Sequence, residues 1–469
     1  MSAIGISQNQ LLSVEPYQFE SKSGERIEAE LCKFSVPENR SVANSREITL
    51  HFVRFKSTNP NPGNPIIYLA GGPGGSGINT AKGGRFELFM ALRSVSDVIA
   101  YDQRGTGLSD HVPACQETAE MPMKDPGVAE VYISNMANTA KRCLSYWKEQ
   151  GVEIEGYNTQ ENANDLEDLR KVLGVAKINL WGISYGSHLA FDFIKRYEES
   201  IDKVVLAGLE GPDHTIKQPK YNQNFLVNLQ TRIQENEEAV KVYPNLLDMM
   251  QEVFNSLEKQ PVTTTASDPR SGKTFEVGIS KLDVQLVTSY FLTKNPKNSS
   301  QLPHLFLQMK NGNYSEIGNM VAMFRMYGGQ IRAMPLIMDA MSGISEQRWN
   351  DILNQEKNSL LGRTTNFPYP DIAKDLDLPD LGDSFRENPI SPVPVLFFSG
   401  TLDGRTYIES AKELAEGFQN GVHIILDGAG HDMFMSTPRV KELMIDFLKN
   451  NTIPSQTIDV NIPKFKINN

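Results

Sequence analysis

The chain has 469 residues, 39% of them hydrophobic and 22% charged, and its 57 acidic against 46 basic residues give a net charge of −11. These values exclude a disordered chain and describe a globular protein long enough for a large domain carrying an insertion. They also argue against a nucleic-acid partner, which requires a basic face.

The opening stretch "MSAIGISQNQLLSVEPYQFE" has no basic region followed by an apolar one, so no export signal is expected there. Residues 26–56 predict antiparallel β-structure, with Ile48, Leu50 and Phe52 alternating in "REITLHFVRF". "NPIIYLAGGPGGSG" and "SDVIAYDQRGTG" each predict a buried strand ending in glycines. "NTQENANDLEDLRKVLGV" predicts a helix capped by Thr159, with Ala163, Leu166, Leu169 and Leu173 as its apolar stripe and Gly174 as its stop. In "INLWGISYGSHLA" a short strand is followed by Leu189, Ala190, Phe193, Ile194 and Tyr197 at helical spacing. "DKVVLAGLEG" is a further strand. From about Pro212 to about Asn388 the chain turns mostly helical and carries nine of its 17 methionines, from Met249 to Met341. These are expected to offer the substrate an adaptable surface. Strand-plus-loop units return in "VPVLFFSGTLDG" and "VHIILDGAGHDMF", and "RVKELMIDFLKN" is a closing helix. The expectation is one α/β domain, residues 1–211 and 389–469, with a mostly parallel doubly wound sheet interrupted by a helical insertion over 212–388. The tail after that helix is ambiguous. No apolar run approaches the roughly 18 residues that cross a membrane.

Gly182-Ile183-Ser184-Tyr185-Gly186 lies where a strand hands over to a helix. Such a handover forces strained angles on the serine, and a Cβ at either glycine would strike the crossing strand and helix. The hydroxyl is thereby lifted above the sheet, with helix N–H groups aimed at it. A serine hydroxyl needs a base, and the base needs an orienting group. His431 follows the last predicted strand in "DGAGHD", and Asp403 follows another in "GTLDGRT"; ligands meet a parallel sheet at these carboxyl ends. The order Ser184, Asp403, His431 is that of a serine–acid–histidine triad on this architecture. His188 lies one turn into the helix and points away from the serine. Asp427 and Asp432 sit too near His431 in sequence to reach its ring, and Asp102 is expected to pair with Arg104 beside it. An oxyanion hole needs two N–H donors: Tyr185 supplies one, and the glycine loop Gly71–Gly77 the other. GxxxxGK[ST] is absent, the loop has no GxGxxG, and there is no CxxC, so no phosphate, dinucleotide or zinc site, and no cofactor, is expected. Cys115 and Cys143 could pair, leaving Cys32 free, or all three could be thiols.

The set "GGPGGSG", "YDQRGTGLSD", "GISYGS", "GTLDGRT" and "GAGHDMF" resembles the α/β-hydrolase peptidases typified by proline iminopeptidase and the tripeptidyl aminopeptidases. The resemblance implies the α/β-hydrolase fold, Ser184 as nucleophile, Asp403 as acid, His431 as base, Gly72 and Tyr185 as oxyanion donors, and a helical cap over the site. Ala70 stands where the iminopeptidases have histidine, and their WEG motif is absent. Glu210 is instead expected to hold the substrate's free amine, with Asp339 as second choice. The length and the Cys115/Cys143 pair look more like the tripeptidyl branch, whose members are commonly exported. The location is then cytoplasmic if this N-terminus is native, periplasmic or secreted if a signal was trimmed. The expected substrate is a peptide with a free N-terminus. A carboxylesterase or amide hydrolase is the alternative, and a non-catalytic binding protein on the same fold is another.

Overall fold

The computed structural model describes residues 12–268, 272–450 and 452–467. Residues 1–11 of the opening stretch, and with them most of the expectation about an export signal, lie outside the described residues.

Twelve strands are present among the described residues: β1 (Ser13–Glu20), β2 (Arg26–Pro37), β3 (Glu47–Phe55), β4 (Ile66–Leu69), β5 (Val98–Asp102), β6 (Ile178–Ser184), β7 (Ile201–Leu209), β8 (Val262–Ser267), β9 (Thr274–Ile279), β10 (Val395–Gly400), β11 (Gly421–Asp427) and β12 (Gln456–Asp459). Ten form one sheet in the order β1-β2-β3-β5-β4-β6-β7-β10-β11-β12. The β1 to β3 edge and its junction with β5 are antiparallel, and from β5 to β12 every pair is parallel. Side chains alternate across this sheet. Ile67, Leu69, Ile99, Leu180 and Leu206 join the core on one face, while Ile66, Tyr68, Val98, Trp181 and Val205 join the core on the other. A sheet covered on both faces reads as unbroken apolar runs, as β4, β5, β6 and β7 do.

Three details differ from the sequence reading. The helix Thr159–Val172 is capped by Asn158, whose side chain accepts the Glu161 N–H at 2.9 Å. Thr159 is its first residue, and its hydroxyl meets that of Tyr185 at 3.2 Å. Arg104 does not pair with Asp102. Its guanidinium forks onto Asp165 at 2.7 and 2.8 Å, while Asp102 accepts from Ser76 Oγ and the N–H groups of Ile78 and Leu108. Between β7 and β10 the chain is mostly helical, but it also carries the antiparallel hairpin β8–β9. The run Thr263, Thr264 and Thr265 in β8 is β-branched, which suits a pleated strand better than a helix.

Cys115 and Cys143 form a disulfide, joining the loop after β5 to the helix Ala129–Glu149; Cys32 is a buried thiol. The tail pairs with β11 through β12 and then crosses to the segment between β7 and β10. There the Tyr243 hydroxyl donates to the Lys466 carbonyl, Lys466 Nζ meets Glu316 at 3.3 Å, and Phe465 is buried. No helix among the described residues is long and apolar enough to cross a membrane.

Candidate active site

β6 ends at Ser184 and the next helix begins at Tyr185, so no residue intervenes. The turn is made by Ser184 itself, at φ 56° and ψ −127°. An L-residue held there costs on the order of 1–3 kcal/mol and persists only because its surroundings fix it. Those surroundings explain the two glycines. A Cβ on Gly182 would lie 2.7 Å from the Gly186 carbonyl oxygen, and one on Gly186 would lie 2.1 Å from that of Leu69.

Ser184 opens into a cavity of about 770 Å³ above the carboxyl ends of the strands. His431, Gly71, Gly72, Glu210 and Asp339 line the same cavity. Its outer wall comes from the segment between β7 and β10, including Lys217, Tyr290, Phe367 and Tyr369. No methionine lines it. Most of that segment's methionines, Met250, Met309, Met338 and Met341 among them, are packed in the core instead. Tyr185 does not line the cavity with its side chain, which is buried against the helix Thr159–Val172.

His431 Nδ1 stands 3.0 Å from Asp403 Oδ2 and 3.2 Å from Oδ1. Asp403 also accepts the N–H groups of Arg405 and Thr406 at 2.8 and 3.1 Å, and the Thr406 hydroxyl at 2.5 Å. Burial alone would raise its pKa. The neighbouring His431 and these donors reverse that and hold it below the ordinary carboxylate range. The other candidates are engaged elsewhere. Asp427 pairs with Arg232 and Asp432 with Arg85, while His188 is buried between the Gly211 carbonyl and Ser342 Oγ.

Glu210 follows β7, its N–H donating to Ser187 Oγ at 2.9 Å. Its carboxylate is paired with Lys217 Nζ at 2.8 Å, and Lys217 also donates to the His214 carbonyl at 2.6 Å. The Asp339 carboxyl makes no hydrogen bond or ion pair with a described residue. Burial, with the nearby Glu210 charge adding to it, pushes its pKa up to about 8. Sequence reasoning missed Thr406 and Lys217. Thr406 was findable, because an aspartate in a turn draws the backbone N–H groups that follow it, as Asp403 draws those of Arg405 and Thr406. Nothing in the spacing of Lys217 marks its contact with Glu210. Among the described residues no group of three or more His, Cys, Asp or Glu side chains is placed to hold a metal.

Residues 64–438 match the model of the alpha/beta hydrolase fold family. The chain belongs to that family. It is 26% identical over 263 residues to the serine protease Hip1 of Mycobacterium tuberculosis, the match covering 51% of this chain and 50% of that one. It is 27% identical over 157 residues to a tripeptidyl aminopeptidase of Streptomyces lividans, covering 31% of this chain and 28% of the relative. The match thus takes in half or less of these relatives' length. Among solved structures, that of Rv0554 from Mycobacterium tuberculosis superposes with a TM-score of 0.41 at 16% identity, covering 90% of this chain and all of that one.

Proposed function

We propose that this α/β hydrolase is a serine aminopeptidase that releases an N-terminal residue or short peptide through an acyl-enzyme. One observation carries the reading: a strained serine shares a cavity with a histidine whose far nitrogen is held by a buried, well-bonded aspartate. In the proposed reaction Ser184 Oγ attacks the substrate carbonyl as His431 takes its proton. The N–H groups of Gly72 and Tyr185 receive the developing oxyanion, and Asp403 keeps the imidazole in its productive tautomer. His431 then returns the proton to the departing amine, and water releases the acyl group by the same steps. The segment over 212–388 acts as a cap, and its Asp339, beside the Glu210–Lys217 pair, receives the substrate's ammonium. The names of the two relatives support a peptide substrate.

Ser184→Ala, assayed on aminoacyl and tripeptidyl reporter amides, is expected to abolish turnover in a folded protein. Retention of more than about a tenth of the wild-type rate would remove Ser184 from the mechanism. Turnover of aryl esters, with free-amine and N-acetylated peptides equally inert, would favour the esterase reading.

A further inference from the structure

The cavity holds four cationic side chains, and two of them are already neutralised. Arg85 is paired with Asp432, and Lys217 with Glu210. The other two, Arg405 and Lys294, line the same cavity without a carboxylate in ion-pair distance among the described residues. In a chain with eleven more acidic than basic residues, cations commonly find a partner, so two left open in one cavity is informative. Arg405 is also held in place. Its guanidinium lies 5.2 Å above the Tyr290 ring and donates one bond, at 3.1 Å, to the Tyr290 carbonyl. Its remaining N–H donors are free to grip a planar anion in the bidentate way a guanidinium favours.

Both cations stand on the histidine's side of the site. Arg405 is two residues past Asp403, and the Lys294 carbonyl accepts the His431 N–H at 3.3 Å. His431 is the group that hands a proton to the departing amine. Asp339 is the cavity's carboxyl without a partner, and the Tyr290 phenol lies within electrostatic reach of both Asp339 and Arg405. One cavity therefore presents an open carboxyl and an open guanidinium, with the nucleophile in the same lining.

We propose that Arg405, assisted by Lys294, is a subsite for a carboxylate on the leaving side of the substrate, so that the cavity selects short peptides charged at both ends. The proposal rests on the aminopeptidase reading and adds to it a preference that reading does not require. The carboxylate can be the free C-terminus of a short leaving fragment or an acidic side chain next to the scissile bond.

The test compares di- and tripeptides as free acids, as C-terminal amides, and as amides with aspartate just after the scissile bond. Wild-type enzyme is expected to favour one carboxylate-bearing series over the plain amide by about tenfold or more, mainly through KM. A preference confined to the free acids assigns the C-terminus, and one confined to the aspartyl amides assigns the side chain. In Arg405→Gln the ratio of acid to amide should collapse toward one, and Arg405→Lys should restore part of it. No preference in the wild type, or an equal loss on acid and amide in Arg405→Gln, overturns the subsite. Should peptides not be cleaved while aryl esters are, the aminopeptidase reading fails and the subsite is judged separately. Glutarate should then inhibit ester hydrolysis in the wild type with about tenfold higher affinity than in Arg405→Gln; equal inhibition overturns it.

Discussion

Asp339 faces the cavity unpaired, and because burial and the Glu210 charge raise its pKa to about 8, it is neutral in the free enzyme at neutral pH. An ammonium bound there requires the carboxylate, so binding must release a proton. KM for free-amine substrates is therefore expected to fall as pH rises from about 6 toward 8, and to climb again once the substrate amine loses its own proton near ~7.7–8.0. N-acetylated esters should show no such trough. Asp339→Asn should remove it and raise KM for free-amine substrates about tenfold or more, with little change on acetylated ones. The stability effect has the opposite sense. A carboxyl whose folded pKa is raised favours the folded state at low pH and loses that contribution as pH rises through the folded value. Asp339→Asn should accordingly raise the melting temperature more at alkaline than at acidic pH. Thr406 offers a second test at this scale. Thr406→Val removes the hydroxyl that donates to Asp403 at 2.5 Å, so the carboxylate loses one of the groups that depress its pKa and steady it. A drop in kcat of about tenfold or more, with KM nearly constant, is expected from pre-steady-state and steady-state rates.

The elbow shows why some elements were legible and others were not. Gly182 and Gly186 are required by backbone contacts that a Cβ would violate, so the handover from β6 to its helix stood out in the sequence. Gly186→Ala should place its methyl carbon 2.1 Å from the Leu69 oxygen, lower stability by about 1–3 kcal/mol in urea titration, and depress activity through the displaced serine. The parallel strands were legible for a related reason: burial on both faces leaves unbroken apolar runs. β8–β9 and β12 lacked that mark. They are short and largely exposed or half-buried, and β12 takes its pairing from β11, which lies beyond an intervening helix. The Asp403–His431 contact was legible because both residues follow strands of the sheet. The true partner of Arg104 was not, since Asp165 lies 61 residues away on a helix whose polar residues all look alike in sequence. Pairing across folded space has no local signature.

At the scale of the molecule, a loop stapled within the core by the disulfide and the tail of the chain both tie the core to the segment between β7 and β10. The disulfide spans a separation of 28 residues and staples a loop whose Ala119 N–H donates to the Gly329 carbonyl of the insertion at 2.8 Å. By the chain-entropy argument Cys143→Ser should cost about 3–4 kcal/mol, read as a lower urea midpoint in the non-reduced protein and no difference under reducing conditions. The second tie is the tail, anchored to the sheet by β12 and to the insertion at Tyr243 and Glu316. On the proposed reading of this segment as a cap, the roof is fastened at the tail and at Gly329 as well as at its own two connections to the core. Under the proposed function, traffic into the cavity then depends on the width of a standing doorway rather than on how often a lid lifts, and a loose chain end passes where the bend of a folded loop is turned back.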